Sequence, residues 1–226
     1  MNILSGNEIE GIYLGEDKRR FLCHVLIGQK EHECYLPSSC KMSKLLDLQG
    51  KIVLLSPIKN KKTRTKYTVV AVKMEKGLIP INLAGINDVV ADCLKLRTFS
   101  FLGTRRTILR EAQIEGYKAD IYIEDTKTLI EIKTVMSLKR EALFPAVYSL
   151  RAEKQLEKIL ELQEKYKVVY IFAILNPMTK KVVLNPDMKN YQYLFDRCLE
   201  KGMKCRVVVI DVDETGNVRI KQGFKA

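Results

Sequence analysis

Two acidic residues and a lysine, Asp120, Glu131 and Lys133, lie close together in the segment KADIYIEDTKTLIEIKTV, residues 118–135. Two carboxylates that face each other repel unless a positive charge lies between them. A divalent cation can supply that charge, and an all-oxygen site favours Mg²⁺ or Mn²⁺ over zinc. Such a cation clamps a phosphate and lowers the pKa of an attacking water, which a nearby lysine can orient or deprotonate. The residue types therefore predict a candidate site for metal-assisted hydrolysis of a phosphodiester.

A β-hairpin must bring the two carboxylates together. The polar stretch Glu124–Lys127 separates two strand-like runs, and a two-residue turn at its centre places Asp120 directly opposite Glu131. Because side chains alternate along a strand, Glu131 and Lys133 share one face and the intervening isoleucines take the other. The competing interpretation is an exposed sheet face, where alternating charged residues are common.

Two further residues are candidates for the same end of the sheet. Glu111, on the strand before the hairpin, is predicted to add a third carboxylate. Gln155 opens the helix that follows, where it is placed to reach the same group. An exposed helix position is the alternative interpretation for Gln155.

The chain of 226 residues carries 39 Lys and Arg residues against 27 Asp and Glu residues, a net charge of +12. Its pI is near 9.4. A surface of this sign attracts polyanions, so nucleic acid is the leading partner class and an anionic membrane surface is the second. The third interpretation is that the charge serves solubility alone.

Several other functional classes lack their sequence signatures. There is no GxxxxGK[ST] phosphate loop, no GxGxxG after a strand and no GxSxG turn. The six cysteines include no CxxC and only two histidines occur, so a structural zinc site is not expected. The beginning, MNILSGNEIEG, has no basic stretch followed by an apolar one, and the apolar runs are too short to span a bilayer. We therefore expect a cytoplasmic protein with no membrane partner.

Residues 1–82 are predicted to form a small closed barrel of the OB-fold type. Short runs rich in Ile, Val, Leu and Tyr alternate with polar turns, and Met42–Leu48 reads as a helical turn in the middle. The strands are expected at Glu8–Gly15, Arg20–Ile27, His32–Leu36, Lys51–Ser56 and Tyr67–Glu75. Lys76–Asn82, which contains Gly and Pro, is predicted to be a linker to a second domain.

A basic loop between the last two barrel strands is a candidate nucleic-acid contact. In OB-folds this loop borders the ligand groove, and here residues 59–66 read KNKKTRTK. The candidate contacts are Lys59, Lys61, Lys62, Arg64 and Lys66. A solvated loop tip is the alternative. The aromatic residues that suit either base stacking or core packing are Tyr13, Phe21, Tyr35 and Tyr67.

Residues 83–226 are predicted to form a mixed sheet with helices on its faces, in the α/β or α+β class. The helices are expected around Ile86–Leu94, with Asn87 or Asp88 as cap, and at Arg151–Lys167 and Met188–Gly202. The strands are expected at Thr107–Gln113, Tyr117–Glu124, Thr128–Val135, Val168–Leu175, Cys205–Val212 and Asn217–Lys221. Residues 177–186, PMTKKVVLNP, are predicted to be a loop.

These segments together resemble the sugar fermentation stimulation protein (SfsA) family over nearly the whole chain. The resemblance is carried chiefly by LPSSCKMSKLL at residues 36–46, NDVVADCL at 87–94, EIKTV at 131–135 and FPAVYSLRAEKQL at 144–156. It implies an N-terminal OB-fold joined to a PD-(D/E)xK domain, which is the restriction-endonuclease-like fold. It also implies a DNA-binding protein with inferred nuclease activity.

The resemblance implies roles for the acidic segment. Asp120 and Glu131 would bind Mg²⁺ or Mn²⁺, with the Ile132 carbonyl as a further ligand, and Lys133 would act on the water. Glu111, and Asp92 on the first helix, would be extra acidic groups.

Arg151 and Lys154 are retained from the family's pattern, and we expect them to join the basic loop as nucleic-acid contacts. DNA is favoured over RNA as the partner. A homodimer is a further expectation, because many nucleases of this fold class are dimeric.

Residues 37–42 read PSSCKM where the family typically reads PNTGSM, and three single positions also depart from the family's pattern. Ala146 stands in place of an Asp, Ala152 in place of a Gly and Gln155 in place of a His. Because the acidic pair and Lys133 are intact, we expect metal binding to be less affected than substrate choice. The predicted function is a metal-dependent DNA nuclease. The alternative is a non-catalytic DNA-binding protein, a regulator of sugar metabolism, that retains the nuclease fold.

Overall fold

The first half of the chain forms a five-stranded barrel in the protein's structure, a computed structural model that describes residues 2–19, 21–37, 42–60, 63–81 and 85–223. Its strands are β1 (Ile9–Glu16), β2 (Leu22–Ile27), β3 (Lys30–Tyr35), β4 (Ile52–Pro57) and β5 (Tyr67–Lys73). Antiparallel pairing joins β3 to β2, β2 to β1, β1 to β4 and β4 to β5. A short parallel contact between Tyr35 and Thr68 closes the ring.

Branched residues fill the barrel because alternate side chains of each strand point inward. Val25, Val53 and Val69 are fully buried. At Gly11, an added Cβ would lie 2.5 Å from the Val25 side chain, so no larger residue fits there. A 3₁₀ turn at Met42–Lys44 lies between β3 and β4. The barrel with its single turn confirms the OB-fold prediction.

The second half contributes strands to a mixed sheet and also forms a separate two-stranded sheet. Its strands are β6 (Leu78–Pro80), β7 (Ile108–Ile114), β8 (Tyr117–Ile123), β9 (Thr128–Val135), β10 (Glu141–Phe144), β11 (Lys167–Ile174), β12 (Lys181–Leu184), β13 (Lys204–Val212) and β14 (Val218–Gln222). Its helices are α1 (Ile86–Cys93), α2 (Leu150–Leu162) and α3 (Lys189–Glu200). The spatial order is β7-β8-β9-β11-β13-β6, in which β9, β11 and β13 are mutually parallel. Strand β14 pairs antiparallel with β13.

Helices cover both faces of this sheet, as predicted. On one face, Val90 of α1 packs in a core that also contains Ile130 and Ile171. On the other face, α2 and α3 enclose a second core that contains Leu156 and Tyr170. Strand β11 runs between the two cores, and all of its residues except the first are buried. This double burial explains why its sequence is a continuous apolar run rather than an alternating one.

The predicted linker is a strand of the shared sheet. Strand β6 pairs with β5 of the barrel and, through Leu78, with Val212 of β13. Gly77, with φ of +86°, lets this strand approach, because an added Cβ would lie 2.2 Å from the Val212 carbonyl oxygen. The linker prediction is therefore wrong for these residues. The strand leaves no signal in the sequence, because three residues are too few to show an alternating pattern. Asn82, the last residue of the predicted linker, lies outside the described residues.

Two other element predictions need correction. Residues 177–186, predicted to be a loop, contain β12, which pairs in parallel with β10. Helix α2 ends at Leu162 rather than Lys167, because Lys167 already pairs with Thr128 in the sheet. Among the described residues, none of the helices combines the length and the apolar character needed to cross a bilayer.

Candidate active site

The hairpin of β8 and β9 has the predicted register. Ile121 lies opposite Ile130, and Ile123 lies opposite Thr128. The turn differs from the prediction, because Glu124–Thr126 forms a 3₁₀ turn and the connection has four residues rather than two. Lys127 ends this turn with φ of +48°. The connection is longer than predicted, but the same residues of β8 and β9 lie opposite each other. The two acidic residues therefore keep their predicted relative register.

The two strands separate at the acidic pair. Counted from the turn, Ile121 is the last residue of β8 that pairs with β9, and Asp120 is the next residue along the strand. Beyond that point Oδ2 of Asp120 accepts a hydrogen bond from the Ile132 amide at 2.7 Å. Its Oδ1 accepts one from Nδ2 of Asn87 at 2.9 Å. The Asp120 carboxylate therefore takes the position of a strand neighbour and is held from two sides.

Glu131 is buried and fully hydrogen bonded. Its side chain is 2% exposed, and Oε1 lies 2.5 Å from Nζ of Lys133. Its other oxygen accepts a hydrogen bond from the Tyr117 hydroxyl. Lys133 also donates to Oε1 of Gln155 at 2.7 Å, which connects the strand to α2. The structure thus brings Gln155 to the acidic pair, as the sequence predicted.

Burial and like charge raise the pKa of Asp120. Its pKa rises from 3.8 to about 6, first because burial disfavours the ionised form and then because Glu131 is close. The Ile132 amide, Lys133 and Asn87 oppose this rise. Burial and the neighbouring Glu131 also raise the pKa of Tyr117 far above its ordinary value, so its hydroxyl remains a donor. The protein alone leaves the negative charge at this site incompletely balanced.

These side chains line one end of a cleft of about 470 Å³. The residues of this end are Asp120, Glu131, Ile132, Lys133 and Gln155. Leu45 of the barrel half also borders the cleft, so both halves of the chain enclose it. The charged side chains that line the cleft are Asp120, Glu131, Lys133 and Arg151, so it presents both signs of charge.

Glu111 does not join the cleft. Its side chain is 74% exposed and forms an ion pair with Lys118 at 2.8 Å. Asp92 is half exposed and pairs with Arg110. Consistent with this, the described residues contain no group of three or more His, Cys, Asp or Glu side chains able to hold a metal. The prediction of a third carboxylate from Glu111 is therefore not met by the geometry.

The chemistry of the remaining donors fits a hard cation. Asp120 and Glu131 supply carboxylate oxygens in the same cleft, which Ile132 also lines. The raised pKa of Asp120 indicates that an added positive charge would be favourable there. Cysteine thiolate and histidine imidazole, which zinc prefers, are absent from the described residues that line the cleft.

A basic hollow adjoins the cleft. Arg151 and Gln155 border both, and the hollow also contains Lys118, Lys154 and Lys158. Arg151 and Lys154, predicted as nucleic-acid contacts, therefore lie beside the acidic pair.

The basic loop of the barrel is described only in part. Lys59 and Lys66 are exposed. Nε of Arg64 lies 2.7 Å from Oε2 of Glu33, which partly neutralises it. Lys61 and Lys62 lie outside the described residues.

Comparison with known proteins decides the family. Residues 18–81 match the SfsA N-terminal OB domain, and residues 85–216 match the sugar fermentation stimulation protein RE domain. The chain belongs to the sugar fermentation stimulation protein family. A homologue from Pelagibacter ubique is 26% identical over 172 residues, which cover 69% of each chain. A homologue from Rhizobium rhizogenes is 24% identical over 190 residues, which cover 78% of this chain and 76% of that one.

A solved structure has the same fold. The structure of Pyrococcus furiosus SfsA in complex with Ca²⁺ superposes with a TM-score of 0.82 and 16% sequence identity. The match covers 100% of this chain and 98% of the other. The resemblance to the SfsA family that the sequence suggested is confirmed, and so is the two-part fold.

Three of the departures from the SfsA pattern fall in the cleft. Ala146, Ala152 and Gln155 all line it. Of the three, Gln155 has a defined role in this structure, because its amide oxygen accepts a hydrogen bond from Lys133. Ala146 replaces a longer Asp and Ala152 replaces a smaller Gly, so both change the cleft wall rather than the acidic pair.

Sequence reasoning missed two residues that hold the acidic pair. Asn87 is predicted to cap α1, but Gly85 occupies the cap position and the Asn87 side chain binds Asp120. Tyr117 is predicted only as a strand residue, yet its hydroxyl binds Glu131. The alternation of β8 gives no signal for Tyr117, because an aromatic strand residue is usually interpreted as core.

Proposed function

We propose that this protein is a divalent-metal-dependent phosphodiesterase that acts on nucleic acid, with DNA as the favoured substrate. The observation that carries the proposal is the grouping of Asp120, Glu131 and Lys133 at one end of a cleft that borders a basic hollow. Binding of a nucleic acid needs positive charge along the phosphate backbone, and hydrolysis of a phosphodiester needs a Lewis acid at the bond that is cut. The basic hollow supplies the positive charge, and the acidic pair in the cleft supplies ligands for a metal that acts as the Lewis acid.

Asp120, Glu131 and the Ile132 carbonyl are the residues that would hold Mg²⁺ or Mn²⁺. The related P. furiosus protein has been solved in complex with Ca²⁺, which like Mg²⁺ takes oxygen ligands. When bound, the cation would neutralise charge on the phosphate and lower the pKa of the attacking water.

The other side chains have positioning roles. Asn87 fixes the Asp120 carboxylate, and the Tyr117 hydroxyl fixes Glu131. Gln155 holds Nζ of Lys133 at the cleft, where the ammonium can orient a water by donating a hydrogen bond to it. Asn87 and the Tyr117 hydroxyl are neutral donors, so they orient the carboxylates without removing their charge, whereas the Lys133 ammonium places a positive charge beside Glu131.

Nucleic-acid binding would depend on the basic hollow together with the barrel loop. Arg151 and Lys154 flank the cleft, and Lys59, Arg64 and Lys66 extend the basic surface on the barrel. Phosphate contacts release counterions, so affinity should fall steeply as salt rises. A cytoplasmic location and a homodimer remain predictions.

The alternative is a DNA-binding or regulatory protein that does not cut. One observation favours it, since every carboxylate oxygen of Asp120 and Glu131 already accepts a hydrogen bond from the protein. Such satisfied carboxylates are stable without a cation. The family's name connects its members with sugar fermentation, which suits a regulator as well as an enzyme.

A cleavage assay separates the two functions. Purified protein is incubated with Mg²⁺ or Mn²⁺ and labelled single-stranded and duplex DNA and RNA. The matched variants are Asp120→Ala, Lys133→Ala and, as a control carboxylate outside the cleft, Glu111→Gln. The enzyme proposal predicts cleavage by the wild type and the control, none by the other two, and binding by all four. If the wild type binds DNA but leaves every nucleic acid uncut with either metal, the regulatory alternative stands instead.

A further inference from the structure

Part of the cleft lining, here called the apolar end, consists of apolar residues and carries an exposed aromatic ring. Tyr148 is 63% exposed and Leu143 is 49% exposed, and both line the cleft. Pro145 and Val147 complete the apolar wall. Single exposed apolar residues are ordinary, but two that converge on one cleft form a patch with a ligand-binding shape.

The backbone that carries Tyr148 is held on both sides. Before it, Phe144 ends β10 and packs against Phe172, with ring centroids 5.0 Å apart. After it, Ser149 caps α2, and its Oγ accepts a hydrogen bond from the Ala152 amide at 3.2 Å. An exposed ring on a fixed backbone loses little conformational freedom when a ligand stacks on it.

The charges around this patch indicate the class of its occupant. Arg151 borders both the cleft and the basic hollow, in which the other charged side chains are Lys118, Lys154 and Lys158. A polyanionic backbone that lies along the hollow would therefore pass within reach of Tyr148. A nucleobase is the flat, apolar group that such a backbone carries at every step, and bases stack on exposed aromatic rings.

We infer that the apolar end of the cleft binds the base of an unpaired nucleotide, stacked on Tyr148, next to the phosphodiester held at the acidic pair. This inference rests on the proposed function and specifies its substrate. A base inside a duplex has both faces covered by its neighbours, so it reaches Tyr148 only from a single strand or after being flipped out. The preferred substrate is therefore single-stranded, frayed or mismatched nucleic acid.

Binding measured without metal tests the inference separately from cleavage. A 20-nucleotide single strand containing 2-aminopurine, whose fluorescence is quenched by stacking, and a blunt hairpin of the same length are titrated in EDTA at low salt. The wild type should prefer the single strand and alter its 2-aminopurine signal. Tyr148→Ala should weaken single-strand binding about 5- to 150-fold, which corresponds to the loss of one stacked base. It should leave hairpin binding unchanged, and Tyr148→Phe should behave as the wild type.

Tyr193→Ala is the matched control. Tyr193 is also an exposed tyrosine, at 57%, but it lies on α3 beside Arg197. Its loss should not affect either affinity. Because Tyr148 is largely exposed, its variants should have the thermal unfolding midpoint of the wild type, which is measured in parallel.

Three results would overturn the inference. Equal affinity of wild type and Tyr148→Ala for the single strand, with cleavage still dependent on Asp120, refutes the stacking site and leaves the proposed function intact. No binding to any nucleic acid at low salt refutes both. Loss of self-association by Tyr148→Ala in sedimentation, with unchanged nucleic-acid affinity, would show that a second copy of the chain covers the patch.

Discussion

The carboxylate of Asp120 accepts the backbone amide of Ile132 at 2.7 Å, at the point where strands β8 and β9 part. In a continuous sheet the Ile132 amide would have a backbone partner on the neighbouring strand. Here a side chain replaces that partner, so the sheet opens without leaving a buried donor unsatisfied. The opening exposes the acidic pair to the cleft, and three predictions follow from the way the pair is held; a fourth concerns the joining of the two halves of the chain.

Asn87 is predicted to set metal affinity without contacting the metal. Asn87→Ala removes the amide that orients Oδ1 of Asp120, and it should weaken Ca²⁺ or Mn²⁺ binding about 10- to 100-fold in a calorimetric titration. Asn190→Ala is the control, because Asn190 makes the same type of bond, at 2.9 Å, to Glu153. Equal metal affinity of the two variants would show that Asn87 has no part in the site.

Lys133 is predicted to hold Glu131 in the core as well as to serve the cleft. Lys133→Met leaves a carboxylate that is 2% exposed without its cation, which should cost about 3 kcal/mol of unfolding free energy in urea. Adding Glu131→Gln removes the unpaired charge and should restore most of that loss. Neither variant should cleave nucleic acid. A double variant no more stable than Lys133→Met would argue that the loss comes from packing and not from charge.

Stability without metal is predicted to fall as pH rises through the range in which Asp120 ionises. In the unfolded chain this carboxyl ionises near 3.8, whereas in the folded protein burial and Glu131 raise its pKa to about 6. Between these values the folded state binds more protons than the unfolded state, so raising the pH favours unfolding. The contribution is on the order of 3 kcal/mol and is mostly lost once the pH exceeds the folded-state pKa of about 6.

The corresponding variant is Asp120→Asn, which cannot ionise but can still accept the Ile132 amide. It should be more stable than the wild type at pH 7.5 in EDTA, and the difference should shrink towards pH 4. Urea unfolding at a series of pH values, referenced to Glu111→Gln, measures this. If the wild type instead became more stable relative to Asp120→Asn as the pH rises, the raised pKa of Asp120 would be contradicted.

Gly77 is predicted to be essential for joining the barrel to the second half of the sheet. Gly77→Ala places a Cβ 2.2 Å from the Val212 carbonyl oxygen, a clash with backbone that cannot move aside cheaply. Gly6→Ala is the control, because Gly6 has the same φ of +86° and no atom within 4 Å of the added Cβ. The control should lose about 1 kcal/mol from the positive φ alone, and Gly77→Ala should lose clearly more. Similar losses would show that β6 tolerates displacement.

The sequence by itself determined the elements with strong local patterns. The alternation in β8 and β9 fixed which side chains share a face, and the register placed Asp120 against Glu131 although the turn proved longer than expected. The apolar run of β11 indicated a strand buried on both faces. These features depend on neighbours in sequence, whose spacing the chain states directly.

Only the tertiary structure decided which distant residues complete the site. Asn87 lies 33 positions before Asp120, and nothing in the sequence of its helix indicates that its side chain binds a residue of a strand. Glu111 has the right charge and strand, yet its φ of +49° marks an irregular position and its side chain pairs with Lys118 instead. The local sequence around Tyr148 does not indicate that its side chain lines the cleft. Each outcome depends on how strands and helices pack, and packing between distant segments leaves no periodic trace in the sequence.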